Sequence, residues 1–116
     1  MSSPTITEEI QKIIDLTTEK KIKWTASSLT SVPLYQWVRF VDKDKYYVSI
    51  QNNIDGYSFI ILKEPVPTSS TKERILNIND MKEPQLTVLL KKLFEAAEFN
   101  AKNSGAELIE RLISGL

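Results

Sequence analysis

The chain has no histidine and no cysteine. Ser-His and Cys-His nucleophiles, thiol redox chemistry, disulfides and ordinary zinc sites are thereby excluded. Glycine is almost as scarce. Gly56, Gly105 and Gly115 are the only three, and neither a Walker loop nor a dinucleotide fingerprint can be assembled from them. Charge of one sign is lacking too: 15 Lys and Arg cancel 15 Asp and Glu, for a formal net charge of zero. That removes the overall positive field expected of a dedicated duplex-DNA binder, while leaving room for a local basic patch. The longest apolar run, Phe59-Ile60-Ile61-Leu62, is far too short to span a bilayer. The start, Met1-Ser2-Ser3-Pro4 running into Glu8-Glu9, lacks the basic and apolar stretches of a secretory signal. The expectation is a cytoplasmic protein with no membrane association and no cofactor.

What is present fits one domain, residues 1–116, with 41% hydrophobic residues to fill one core. Thr5 and Glu8 have capping-box spacing, and Ile6, Ile10, Ile13, Ile14 and Thr17 recur at helical intervals. They predict a helix over about residues 7–20, with Lys20, Lys21 and Lys23 at its end, where cations suit the helix dipole. Ile22-Lys23-Trp24 is an extended exit, and residues 25–33 read as a loop ending in Pro33.

Four strands are predicted next, over residues 35–41, 45–51, 57–62 and 74–79. Tyr46, Val48 and Ile50 alternate with Tyr47, Ser49 and Gln51, so the two sets take opposite faces. Asp42-Lys43-Asp44 and the segment from Asn52 to Gly56 are turns, and the stretch from Pro65 to Thr71 is a surface loop. Short connections favour an antiparallel meander.

The last third is helical. Pro84 suits a first helical turn, and Leu86, Leu89, Leu90, Leu93, Phe94, Ala97 and Ala101 share one face. Asn103 can end that helix, and Ser104 with Glu107 forms a second capping box. Leu108, Ile109, Leu112, Ile113 and Leu116 then make a stripe of their own. The predicted fold is α+β: a four-stranded antiparallel meander with one N-terminal and two C-terminal helices packed on one face.

Several groupings invite a chemical reading. Lys20, Lys21 and Lys23 beside Trp24, with Trp37, Arg39, Lys43 and Lys45 on the first hairpin, suit a single-stranded nucleic-acid surface, where bases stack on rings and cations follow phosphates. A solvated helix end with its tryptophans in the core explains the same residues, and no RNA-binding strand signature is present. Tyr35, Tyr46, Tyr47 and Tyr57 could line a ligand-binding sheet face, Tyr47 foremost, but tyrosine is also simply a good strand residue. Asp42 and Asp44 lack the ligand count of a calcium loop. Glu107 and Glu110 read as a dipole partner and a surface charge, and Ser27 and Ser28 near Lys23 lack the buried lysine of a Ser-Lys nucleophile. No enzymatic chemistry emerges.

The order helix, Lys-Ile-Lys-Trp exit at residues 21–24, tyrosine-rich meander and paired C-terminal helices resembles small uncharacterised α+β proteins of bacterial genomes. The resemblance spans the whole chain, implies no activity and transfers no functional residue. The leading expectation is a non-catalytic interaction domain, an adaptor or a regulatory or inhibitory protein, whose partner is another protein or a second copy. Its candidate interface is Val88, Phe99, Leu108, Leu112 and Leu116. Val88 and Phe99 lie eleven residues apart, three turns, on the side of their helix away from the main stripe. The last helix either folds back over them or leaves its stripe for a partner. The alternative expectation is a single-stranded nucleic-acid accessory protein using Lys20, Lys21, Lys23 and Trp24.

Overall fold

A computed structural model describes residues 5–27, 32–53, 55–64 and 73–116. The chain forms an N-terminal helix α1 (Ile6–Thr18), an antiparallel sheet and a long C-terminal helix α2 (Thr87–Ile113). Thr5 caps α1 as its spacing predicts, its hydroxyl accepting the Glu8 amide at 3.2 Å. Ile10, Ile14 and Thr17 turn inward, whereas Ile6, expected on the same stripe, is exposed. Lys20 lies beyond the helix with a φ of 64°, so the lysine cluster follows the last turn rather than occupying it.

The sheet has five strands, not four: β1 (Thr25–Ala26), β2 (Leu34–Val41), β3 (Asp44–Asn53), β4 (Gly56–Glu64) and β5 (Glu73–Asn79). They lie in sequence order as an antiparallel meander. The additional strand, β1, falls where a loop is predicted. It is two residues long, too short for any alternation to register. It exists because Thr25 and Ala26 pair with Gln36 and Tyr35. The predicted Pro/Ser/Thr loop lies outside the described residues, apart from its flanks.

Alternation assigns the sheet's two faces. Tyr35, Ile50, Phe59 and Ile78 are aligned across four strands, and all are buried. α2 lies over this face, with Leu86, Leu90, Leu93, Phe94 and Ala97 turned into the core, and α1 packs against α2. Phe94 is the central contact, 5.4 Å from the Tyr35 ring and 5.5 Å from the Tyr57 ring. Val38, Tyr47 and Leu62 form a row on the opposite face.

The largest departure from the sequence reading concerns the C-terminus. The two predicted helices are one. A 3₁₀ turn at Pro84–Leu86 leads into α2, which runs unbroken through Asn103, Ser104 and Gly105. Asn and Ser are only mildly poor helix formers, and one Gly costs about 1 kcal/mol against Ala. With no proline, nothing there forces a break. The cap expected at Ser104 does not form. Glu107 instead bonds Lys20 at 3.3 Å.

Candidate functional surface

Two features meet where α1 ends against α2: a polar lock and an apolar overhang. The lock is centred on Asn100, whose buried side chain sits on the core face of α2. Its amide nitrogen donates to the carbonyls of Thr17, at 3.2 Å, and Ile22, at 2.9 Å. Its oxygen accepts the Trp24 amide at 2.8 Å. The Trp24 indole N–H donates to the Thr17 hydroxyl at 2.9 Å, and that hydroxyl donates to the Ile13 carbonyl at 2.7 Å. One side chain of α2 thus satisfies the Ile22 carbonyl and the Trp24 amide, which the extended exit of α1 would otherwise bury unpaired, and adds a second donor to the Thr17 carbonyl, which already accepts the Lys20 amide at 3.1 Å. Residue 100 continues the helical spacing of the buried face, but nothing in the sequence distinguishes it from a surface asparagine. Above the lock is a cleft of about 120 Å³ whose lining includes Lys20, Lys23, Ala96, Phe99 and Asn103.

The overhang begins one turn later. Every residue from Gly105 to Leu116 is exposed. Leu108, Ile109, Leu112 and Ile113 keep 56–69% of their full exposure, and Leu116 is fully open. At roughly 100° per residue, the four that lie within the helix, Leu108, Ile109, Leu112 and Ile113, centre about a quarter turn away from the Leu90–Leu93–Ala97 line. Leu108 and Leu112 follow Leu90 and Phe94 by eighteen residues, five turns, and so point the same way as that core pair; they are exposed because no other element of the described fold lies over that part of α2. In a continuous helix the stripe cannot fold back over Val88 and Phe99, and those two remain 65% and 68% exposed. Phe99, Ile109 and Ile113 lie toward one side of the helix, while Leu108 and Leu112 border the side of Arg111 and Glu107. A few scattered apolar side chains are normal on a surface, but five on three successive turns make a contiguous patch. All five candidate interface residues are thus open, four of them on or beside this stripe, with Val88 isolated near the other end of the helix.

The basic-aromatic grouping is dispersed. Trp24 is only 1% exposed, its indole committed to Thr17 and its ring 6.2 Å from that of Trp37. It offers no face on which a base could stack, which corrects its assignment to a nucleic-acid patch. Lys20 is bridged to Glu107, Lys23 lines the cleft, and Lys21 is exposed.

The tyrosines divide as well. Tyr35 and Tyr57 pack on Phe94. Tyr47, on the sheet face away from the helices, is half-buried and donates to Glu64 at 2.6 Å, with the Lys45 ammonium 5.0 Å from its ring centre. Hydrogen bonding to Tyr47 is the main cause that holds Lys45 above the ordinary lysine pKa, and Asp44, 3.2 Å from Lys63, does the same for that lysine. Asp44 is therefore a structural partner, and Asp42 occupies the hairpin turn with a φ of 59°. Among the described residues there is no grouping of three or more acidic side chains placed to hold a metal, and no helix is long and apolar enough to cross a membrane.

Comparison with known protein families, curated proteins and solved structures yields no match for this chain.

Proposed function

We propose that this protein is a small non-catalytic interaction domain whose working surface is the overhanging end of α2. One observation carries the reading: Leu108, Ile109, Leu112, Ile113 and Leu116 form an apolar stripe that continues the core helix past its own sheet. Leaving such a patch in water forgoes burial worth about 25 cal/mol per Å² of apolar surface, and a domain this small has little stability to spare. A partner recovers that burial. The stripe has the spacing of an amphipathic helix that recognises another helix or a hydrophobic groove. Exposed aliphatic side chains bring shape and desolvation rather than chemistry, so the function is occupancy of a partner surface.

The native chain's lack of cysteine makes the test direct. A lone thiol introduced by Leu112→Cys should react with a maleimide, at low micromolar protein, about as fast as a small free thiol. The thiol of Ala97→Cys, at a fully buried position, should react only through unfolding. Equal protection of the two thiols would show that the chain covers the stripe itself, and the reading would fail.

A further inference from the structure

We infer that the junction between the exit of α1 and the overhang of α2 is a binding site for a small organic anion, a carboxylate or a phosphate monoester carrying a compact apolar substituent. The site is separate from the interaction surface proposed above and shares only Leu108 with it.

Helix geometry brings the groups together. Ser104 is followed by Glu107, Leu108 and Arg111 at helical spacing, so one face of α2 carries all four. That face continues the line of Leu93 and Asn100, because residues 93, 100 and 107 are each about two turns apart, as are residues 104 and 111. Asn100 takes the Ile22 carbonyl and the Trp24 amide, which holds Lys23, the residue between them, against the same side of α2. Lys23, Ser104, Glu107, Leu108 and Arg111 accordingly line one depression of about 180 Å³. It adjoins the cleft beside Ala96 and Phe99, with which it shares Lys23, Ser104 and Glu107. Its volume falls below that of a drug-sized pocket, roughly 300–1,000 Å³, which limits the occupant to a compact molecule.

Charge selects the ligand. Lys20, Lys23 and Arg111 line these two depressions against one carboxylate, Glu107. Glu107 is bonded to Lys20 at 3.3 Å, whereas Lys23 and Arg111 are exposed and form no ion pair among the described residues. Glu110 lines a separate depression with Arg111 and Ser114 and likewise forms no ion pair there. Even with both carboxylates counted, cations are in excess. Two of them without a bonded counter-charge on one concave surface favour an anion between them. Arg111 offers paired N–H donors that match a carboxylate or a phosphate, Lys23 a point charge and Ser104 a hydroxyl donor. Leu108 is the apolar wall of the same depression, so an apolar substituent is covered there while the charged end meets the cations.

The probes are phenyl phosphate and phenylacetate, with inorganic phosphate and acetate as their ring-free counterparts, titrated while the backbone amides of Lys23, Ser104, Leu108 and Arg111 are followed by NMR. At least one phenyl compound should shift these amides saturably with a dissociation constant of about 1 mM or tighter, and the tighter of the two tells a phosphate ligand from a carboxylate. Its ring-free counterpart should bind about five-fold more weakly, lacking the contact with Leu108. Lys23→Gln and Arg111→Gln, both at exposed positions, should each weaken binding about five-fold. Glu107→Gln should strengthen it, because the carboxylate that opposes the anion is gone. The Leu112→Cys result stands apart, because Leu112 does not line the depression. No saturable shift with about 10 mM of either phenyl compound would overturn the site. So would binding that Lys23→Gln and Arg111→Gln leave unchanged, and equal binding of the ring-free anions would overturn the apolar substituent.

Discussion

The backbone amide of Trp24 donates to the side-chain oxygen of Asn100 across 2.8 Å, tying the exit of α1 to the middle of α2. With the two bonds from the same side chain to Thr17 and Ile22, it fixes where α1 ends relative to the start of the overhang. Asn100→Leu would keep the branched shape and remove all three bonds, stranding the Ile22 carbonyl and the Trp24 amide, while the Thr17 carbonyl keeps the Lys20 amide. At about 1–3 kcal/mol for each stranded group, the loss should be at least about 2 kcal/mol. Chemical denaturation measures it through the midpoint at constant slope. A change under 1 kcal/mol would mean that water replaces the asparagine without cost.

Two leucines of the same helix should behave in opposite ways. Leu93 is fully buried, so Leu93→Ala should cost roughly 2–5 kcal/mol. Leu112 is open, and Leu112→Ala in dilute protein should stay within about 0.5 kcal/mol of the parent. Similar losses at both sites would place Leu112 in a core that the described fold does not provide.

Alkaline pH should weaken the fold through Tyr35. Burial, reinforced by the Glu98 carboxylate that accepts its hydroxyl at 3.3 Å, holds its pKa above the ordinary tyrosine value of about 10. The folded value exceeds the unfolded one, so this contribution is complete below pH 10 and is lost as pH rises through the folded value. Raised lysine values at Lys45 and Lys63 act in the same direction over a similar range. Unfolding measured from pH 8 to 12 should therefore show a steeper decline in the parent than in Tyr35→Phe. Parallel curves would remove Tyr35 as a contributor.

Trp24 should be silent toward nucleic acid. Its ring is enclosed and its indole N–H is committed to Thr17, so a single-stranded oligonucleotide should leave its fluorescence unchanged at physiological salt. Saturable, salt-sensitive quenching, lost when Lys20, Lys21 and Lys23 become Glu, would restore the nucleic-acid reading.

The meander was legible because local pattern and tertiary demand agree there. Tyr46, Val48 and Ile50 alternate with Tyr47, Ser49 and Gln51, and only the first set shares the face covered by the helices. β1 was not legible, because Thr25 and Ala26 become a strand only through their pairing with β2. The helix break that the sequence predicts does not occur, for a related reason. Ser104 and Glu107 have the spacing of a cap, but Glu107 finds Lys20 from the far end of α1 and the backbone stays helical. Asn100 was invisible because its partners are backbone groups 76 to 83 residues away, which no local pattern encodes. Of the candidate interface, the apolar periodicity could be read directly. Its exposure could not, because that follows from a helix that does not break and so carries the stripe beyond the elements that cover its first half.

The most direct test of the account is amide hydrogen exchange across α2 in dilute protein. Helical turns without tertiary packing are marginal in water, whereas core turns open only with the whole fold. The account predicts that amides at residues 90–100 exchange slowly and that those at residues 106–113 exchange orders of magnitude faster. Strong protection of residues 106–113 in dilute protein, equal to that of residues 90–100, would contradict it, since the overhang would then be part of the chain's own core.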